Sequence, residues 1–196
     1  MKKQRSDKRF TFCLLLMALC LFIGLADTTL AQNSTSQNTN NTTTANQNLA
    51  QKANEYFQKQ DWKNAIESFL QLTKQEPNNA RVWYRLGFSY HSSKNYENAV
   101  EAFTKAVEIG NNPLVMYNLA CSYAQLSKTE ESFKWLNKAV EQGFNQVDQI
   151  KNDTDLTALH SDERFNTLVK KADKLAYPCN YLDEARQFDF WIGTWD

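Results

Sequence analysis

The stretch VWYRLGFSYHSSKNYENAVEAFTKAVEI, residues 82–109, decides the fold of this chain. Apolar residues recur in it at spacings of three, four and seven, which is the period of an amphipathic helix. Two such helical patterns are separated by the polar segment SSKN, which favours a turn. The stretch therefore predicts one helix–turn–helix unit.

Similar residues recur before and after this stretch at offsets of 33 or 34 positions, as Tyr56, Tyr90 and Tyr123 show. A period of this length with two helices per unit is typical of an α-solenoid. We divide residues 46–146 into three units. They cover residues 46–79, 80–112 and 113–146. The same offsets relate three further sets of residues: Ala53, Gly87 and Ala120; Ala65, Ala99 and Ser132; Phe69, Phe103 and Leu136.

The central unit resembles a tetratricopeptide repeat (TPR). It matches at seven marker positions, Trp83, Leu86, Gly87, Tyr90, Ala99, Phe103 and Ala106. The outer units match less fully, departing at Lys52 and Leu72 in the first and at Ser132 and Leu136 in the third. The resemblance implies an all-α fold, a TPR α-solenoid of three helix–turn–helix repeats with capping helices.

Residues 147–176 are predicted to form a helical cap, because a solenoid needs a terminal unit over its last apolar face. Ser161 is expected to cap a helix that Asp162 and Glu163 open. Four further residues are predicted to end or begin helices: Asp61 and Asn95 as N-caps, and Gly110 and Gly143 as left-handed C-caps.

The N-terminus combines a basic segment with a charge-free apolar run over residues 12–26, which is typical of a secretory signal peptide. We place the signal peptide at residues 1–31, with cleavage after Ala31 or alternatively after Ala26. Residues 32–45 are almost entirely Asn, Gln, Ser and Thr, and are predicted to be a disordered linker. The protein is thus expected to be periplasmic or secreted, or else membrane-anchored through an uncleaved N-terminal segment.

Residues 177–196 are predicted to be a loop followed by the start of a β segment. The alternating stretch ARQFDFWIGTWD, residues 185–196, carries aromatic residues on both faces. Its Gly193 and Trp195 weakly resemble the first strand of lipocalin-like (calycin) β-barrels. We expect the chain to be cut at the opening of a second domain; the alternative is a tail that packs back on the last helices.

No residue pattern indicates catalysis, and we predict that the protein is not an enzyme and binds no cofactor. Its two histidines, His91 and His160, have no Cys or carboxylate at ligand spacing, so no metal site is predicted. The balance of 22 basic and 22 acidic residues argues against a nucleic-acid partner. No stable membrane span is expected after signal cleavage.

The TPR resemblance implies a concave groove lined by the first helix of each unit. A peptide or protein is the expected partner, and the aromatic residues would supply its apolar contacts. The alternative is that the chain's own cap covers the groove. The positions expected to face the partner are Asn54, Phe57, Gln58, Tyr84, Phe88, His91, Tyr117, Cys121, Ala124 and Gln125.

The predicted function is an exported protein-interaction scaffold. The alternative is a TPR module that positions a C-terminal lipocalin-like domain, which would carry ligand binding or catalysis. Capture of a C-terminal carboxylate, known in chaperone-binding TPR domains, is not expected. Of the five positions that would form that clamp only Asn54 fits, the others being Ala50, Arg85, Leu114 and Asn118.

Overall fold

A computed structural model describes residues 48–181 of the chain. The predicted signal peptide, the linker at 32–45 and the β segment within 185–196 lie outside the described residues and stay predictions. The described part contains helices and no strand, which confirms the all-α TPR solenoid. None of its helices is both long enough and apolar enough to cross a membrane.

Six helices form three consecutive pairs, one pair in each predicted unit. A short helix, a 3₁₀ helix and a longer helix follow them, and a last 3₁₀ turn covers Pro178–Tyr181. The helices are α1 (48–58), α2 (Trp62–Gln75), α3 (Ala80–Ser92), α4 (Tyr96–Ile109), α5 (Pro113–Gln125), α6 (Thr129–Glu141), α7 (Val147–Asn152), the 3₁₀ helix Thr154–Leu159 and α8 (Glu163–Ala176).

The turn inside each pair uses one residue in the left-handed region of backbone conformation. These residues are Gln60, Lys94 and Ser127, with φ angles of 56°, 63° and 58°. Their spacing repeats the 34 and 33 residues of the units. A left-handed conformation strains residues that have a Cβ. The repeated geometry therefore shows that the tight turn is built into the fold rather than set by glycine.

The caps were only partly predicted. Asp61 caps α2 as expected, since its carboxylate accepts from the Asn64 backbone N–H at 3.3 Å. Asn95 takes the N-cap position of α4 as predicted, but its side chain makes no capping hydrogen bond. The prediction for Ser161 was wrong, because Asp162 takes the N-cap position of α8 and accepts from the Arg164 N–H at 2.9 Å.

Two caps that the sequence analysis missed begin the first helices of units two and three. Asn79 accepts from the backbone N–H groups of α3, and Asn112 does the same for α5 at Leu114. They are 33 residues apart, so they belong to the repeat. Asn side chains favour this position because they satisfy amides that have no partner inside the helix.

The two glycines behave differently. Gly143 follows α6 at a φ of +100°, as predicted for a left-handed cap. Gly110 ends α4 in an extended conformation, with φ −138° and ψ 115°, so a left-handed cap there was wrong. The chain runs on from Gly110 to Asn112, which is extended too and precedes Pro113. Residues before proline are driven toward extended backbone.

Within each unit the two helices approach each other at the small positions. Gly87 on α3 lies against the ring of Phe103 on α4, and a Cβ built on Gly87 would stand 2.6 Å from Phe103 Cδ1. Phe103 is completely buried, so the ring has little room to yield. The small position of the second helix is Ala99 in unit two and Ser132 in unit three; Ser132 is buried, and its hydroxyl donates to the Ala120 carbonyl at 2.8 Å. That hydrogen bond explains how a polar residue is accommodated there.

The segment after unit three packs onto that unit. Ile150, Leu156, Leu159 and Leu168 are buried in one apolar cluster with the residues of α5 and α6. On the surface, the Arg164 guanidinium of α8 binds both oxygens of Glu130 at 2.8 and 2.9 Å, joining α8 to α6. Residues 147–176 thus cover the last apolar face of the solenoid.

Candidate functional site: the A-helix surface

The A-helix surface is the face formed by α1, α3 and α5, the first helices of the three units. Its ten predicted positions fall into two groups. Those on α1 and most of those on α3 stay partly or fully exposed. Those on α5 lie under a later part of the chain. Asn54, Phe57, Tyr84, Phe88 and His91 are half-buried and Gln58 is exposed, whereas Tyr117, Cys121 and Ala124 are buried and Gln125 is half-buried.

Four side chains form an aromatic cluster on the open part of this surface, namely Phe57, Trp62, Tyr84 and Phe88. Phe88 is its centre, with ring centroids 5.4 Å from Phe57, 6.1 Å from Trp62 and 6.2 Å from Tyr84. Aromatic pairs at these separations attract each other and hold their shape. Each ring nevertheless keeps part of its surface in solvent. The cluster is therefore an ordered apolar surface that a partner can cover.

Trp62 was missed by the sequence analysis. It is the first residue of α2, the second helix of its unit, and only first helices were considered. Its ring meets Phe57 across the turn at 5.7 Å in an edge-to-face arrangement. A tryptophan directly after the cap residue Asp61 was the available signal.

Arg85 gives this open surface its charge. The guanidinium carbon lies 5.5 Å from the centre of the Phe57 ring, a cation–π arrangement. Partial burial lowers the pKa of Arg85, and repulsion from Arg81 lowers it further. Within residues 48–181 neither guanidinium has a carboxylate within 4.0 Å. Their positive charge is thus not neutralised by an ion pair in the described part.

Tyr84 joins the aromatic cluster to the third unit. Its side chain packs against the apolar cluster that contains Val115 and Leu119 of α5, and partial burial raises the pKa of the phenol. Arg85, by contrast, has no counterpart on α5, where the same position holds Asn118. The open surface therefore combines aromatic rings with an arginine and neutral hydrogen-bonding groups.

The α5 part of the surface is closed by residues 147–159, which we call the covering segment. The Tyr117 hydroxyl donates to Asp153 Oδ2 at 2.7 Å, and its ring stacks on Phe144 at 4.3 Å. The Gln125 amide donates to the Asp155 carbonyl at 3.0 Å. The expectation that Tyr117, Cys121 and Ala124 face a partner was thus wrong, because the chain's own segment occupies that place.

His91 fastens the covering segment across two repeats. Its Nε2 lies 2.8 Å from Asp155 Oδ2 and its Nδ1 lies 2.9 Å from the Ser122 hydroxyl. A carboxylate only accepts hydrogen bonds, so Nε2 carries the hydrogen and donates a hydrogen bond to Asp155. His91 has no carboxylate at ligand spacing in the sequence, yet the fold brings Asp155 beside it. The partner stands 64 residues later in the chain, where no local spacing reveals it.

Cys121, Asp153 and Asp155 are the groups in the described part that come close enough to share a metal ion. One ligand atom from each lies within 4.8 Å of the others. The thiol points at Asp153 Oδ2, 3.8 Å away. Burial raises the pKa of Cys121 well above its usual value, and the two carboxylates raise it further. This environment disfavours the thiolate that a metal ion would need. We assign these groups to the attachment of the covering segment.

The remaining candidates lie apart from this surface. His160 is exposed and lies against Phe165 in the cap, with ring centroids 4.5 Å apart and planes tilted by 45°. Cys179 is exposed and Cys121 is buried, and both are free thiols.

The sequence was compared with protein-family models, with curated proteins and with solved structures. Three models of tetratricopeptide repeats match it. The model described as "TPR repeat" covers residues 53–94, and two described as "Tetratricopeptide repeat" cover 80–111 and 114–142. No curated protein matches.

Among solved structures, a MamA protein is 18% identical with a TM-score of 0.57, over 73% of this chain and 87% of that one. A chain of the CopN–Scc3 complex is 19% identical with a TM-score of 0.50, over 65% of this chain and 66% of that one. A structure of MamA AMB-1 is 26% identical with a TM-score of 0.46, over 47% of this chain. Our chain spans 51% of that structure. The first two likenesses concern the fold alone. The three family models and the helix pairs that they cover show that residues 53–142 of this chain form an array of tetratricopeptide repeats.

Proposed function

We propose that the protein is an exported interaction scaffold that binds a peptide or protein segment on the open part of the A-helix surface. The observation that carries the proposal is the aromatic cluster of Phe57, Trp62, Tyr84 and Phe88. Its rings are fixed by one another yet half-exposed. Tyrosine, tryptophan and phenylalanine contribute most binding energy when a partner removes their remaining surface from water. TPR arrays are protein-interaction modules, which agrees with this role.

The covering segment limits where the partner binds. Because it occupies the surface of α5, binding is restricted to α1, α3 and the start of α2. We expect the partner to contact Asn54 and Gln58 beside the aromatic cluster, and not Tyr117, Cys121 or Ala124. The proposed role is binding without catalysis.

Site-specific photocrosslinking tests the location. A photoreactive residue at Gln58, exposed beside Phe57, should crosslink a defined partner in the host's periplasmic or secreted fraction. The same residue at Glu101, exposed on α4, is the matched control and should not. Adding Phe88→Ala should abolish the Gln58 product, whereas Leu70→Ala, which shortens an exposed side chain on α2, should leave it unchanged. Equal products from Gln58 and Glu101 would contradict the proposal.

Export is tested by the N-terminal sequence of the mature protein. The proposal expects it to begin at Gln32, or at Asp27 if cleavage follows Ala26. A protein that starts at Met1 and stays with the membrane fraction would support the uncleaved anchor instead. The scaffold that positions a lipocalin-like domain stays a prediction, since the residues that suggest it lie outside the described part.

A further inference from the structure

The covering segment shows which chemistry the A-helix surface accepts. It presents two carboxylates, from Asp153 and Asp155, to the Tyr117 hydroxyl and to His91. Leu156 follows Asp155 directly, and Leu156 and Leu159 are buried against unit three. A segment that alternates acidic and large apolar side chains therefore fits on a first helix of this solenoid.

The open unit repeats part of that arrangement. Tyr84 occupies on α3 the position that Tyr117 occupies on α5, 33 residues later. It differs by being half-exposed and by having Arg85 beside it. Phe88 takes the position of Cys121, so the apolar contact is larger there. The open surface thus offers a hydroxyl, a cation and an aromatic ring at the places where the closed surface holds the covering segment.

The charge of the open surface lacks a counterpart. Arg85 and Arg81 repel each other and have no carboxylate partner within residues 48–181. A half-buried guanidinium that has lost part of its hydration gains most from a carboxylate, which can take two parallel hydrogen bonds. An acidic side chain of a partner would supply it.

Resting on the function proposed above, we infer that the occupant is a peptide segment in which Asp or Glu stands next to a large apolar residue. The carboxylate pairs with Arg85 and Arg81, and the apolar side chain covers Phe57, Trp62 and Phe88. The acid belongs to a side chain within the segment, so the incomplete clamp for a C-terminal carboxylate is no obstacle.

The experiment is a display selection of random twelve-residue peptides on the purified full-length chain. Selected peptides are then synthesised in pairs, one as found and one with every Asp and Glu replaced by Asn and Gln. Affinities are measured for the wild type and for Arg85→Gln, Phe88→Ala and the matched control Lys138→Gln. Lys138 lies 4.8 Å from the Trp135 ring on α6, so its loss removes the same charge and a similar cation–π contact away from the site.

We expect the selected peptides to be rich in acidic and aromatic residues. Arg85→Gln or removal of the acids should weaken binding about tenfold, and the two changes together should cost little more than either. Lys138→Gln should have no effect. Wild-type binding should also weaken with added salt more steeply than that of Arg85→Gln.

Two results would overturn the inference. Peptides that bind without acids and are unaffected by Arg85→Gln, yet are lost with Phe88→Ala, would refute the acidic partner while leaving the aromatic surface in place. Peptides that are unaffected by both variants would refute the binding surface itself, and so would a selection that enriches nothing.

Discussion

Gly87→Ala tests how tightly the two helices of unit two are packed. A Cβ on residue 87 would lie 2.6, 2.8 and 3.0 Å from three carbons of the Phe103 ring. The shortest of these is about 1 Å less than the separation at which two carbon atoms attract. Phe103 is completely buried and cannot turn away freely. The helices of the unit must therefore move apart.

The magnitude follows from two opposing effects. Overpacking a well-filled core costs about 1–3 kcal/mol. Against this, alanine is favoured over glycine inside a helix by about 1 kcal/mol. Because a separation of 2.6 Å is far below contact distance, we expect the upper part of the overpacking range, about 2–3 kcal/mol, and hence a net loss of about 1–2 kcal/mol in the free energy of unfolding. With a urea slope of about 2 kcal/mol per molar, the midpoint should fall by roughly half a molar to one molar. Far-UV circular dichroism in urea measures it.

Unit three suggests how the clash of Gly87→Ala with Phe103 can be relieved. There an alanine and a leucine, Ala120 and Leu136, occupy the same two positions. Phe103→Leu alone should destabilise the protein by about 1 kcal/mol or more through the cavity that it leaves. Combined with Gly87→Ala it should cost at least about 1 kcal/mol less than the sum of the single changes. Strictly additive effects, or a Gly87→Ala protein as stable as the wild type, would refute the close contact.

Three further predictions concern other parts of the chain. Lys94→Gly should stabilise the protein by about 1 kcal/mol in urea melts, because Lys94 stands at a φ of 63°, whereas Ser93→Gly at −88° should not. Asp153→Ala should speed alkylation of Cys121, mapped by mass spectrometry against the exposed Cys179; an unchanged rate would show that the covering segment stays closed without it. Arg164 lowers the pKa of Glu130 below its usual 4.5, so the stabilisation that this pair gives is present above that pH and is lost as the pH falls through the lowered value. Arg164→Gln should return the Glu130 pKa, followed by NMR, to its usual range; a value that stays low would assign the shift to another group.

The repeat could be predicted from the sequence because its signals recur three times. Small residues at 53, 87 and 120 mark where the helices meet, because a larger side chain would hold the two helices apart. Left-handed turns at Gln60, Lys94 and Ser127 carried no such signal, since none of these residues is a glycine. Their conformation is set by the two helices that they join.

The closed part of the site could not be predicted, because its contacts join distant residues. Nothing near His91 indicates that Asp155 will lie 2.8 Å away. The apolar stripe of residues 147–176 predicts that this segment packs on an apolar face of the solenoid. It does not say which face. The sequence could not decide whether Ser161 or Asp162 caps α8, since both residue types are favoured N-caps. The backbone conformation of the folded chain decides it.

The bonds of His91 also bear on how the solenoid can bend. By holding Ser122 and Asp155 at once, this side chain fixes the angle between the second and third repeats. Among residues 48–181 the side-chain hydrogen bonds between the first and second repeats lie at the turn that links them, where Asn79 caps α3 and Trp83 Nε1 donates to the Pro77 carbonyl at 2.8 Å. Beyond that turn the contact of α1 with α3 is made by aromatic rings, without a hydrogen bond comparable to those of His91. Bending of the array should therefore take place more between the first and second repeats than between the second and third, so that the spacing of α1 and α3 can adjust to a bound partner.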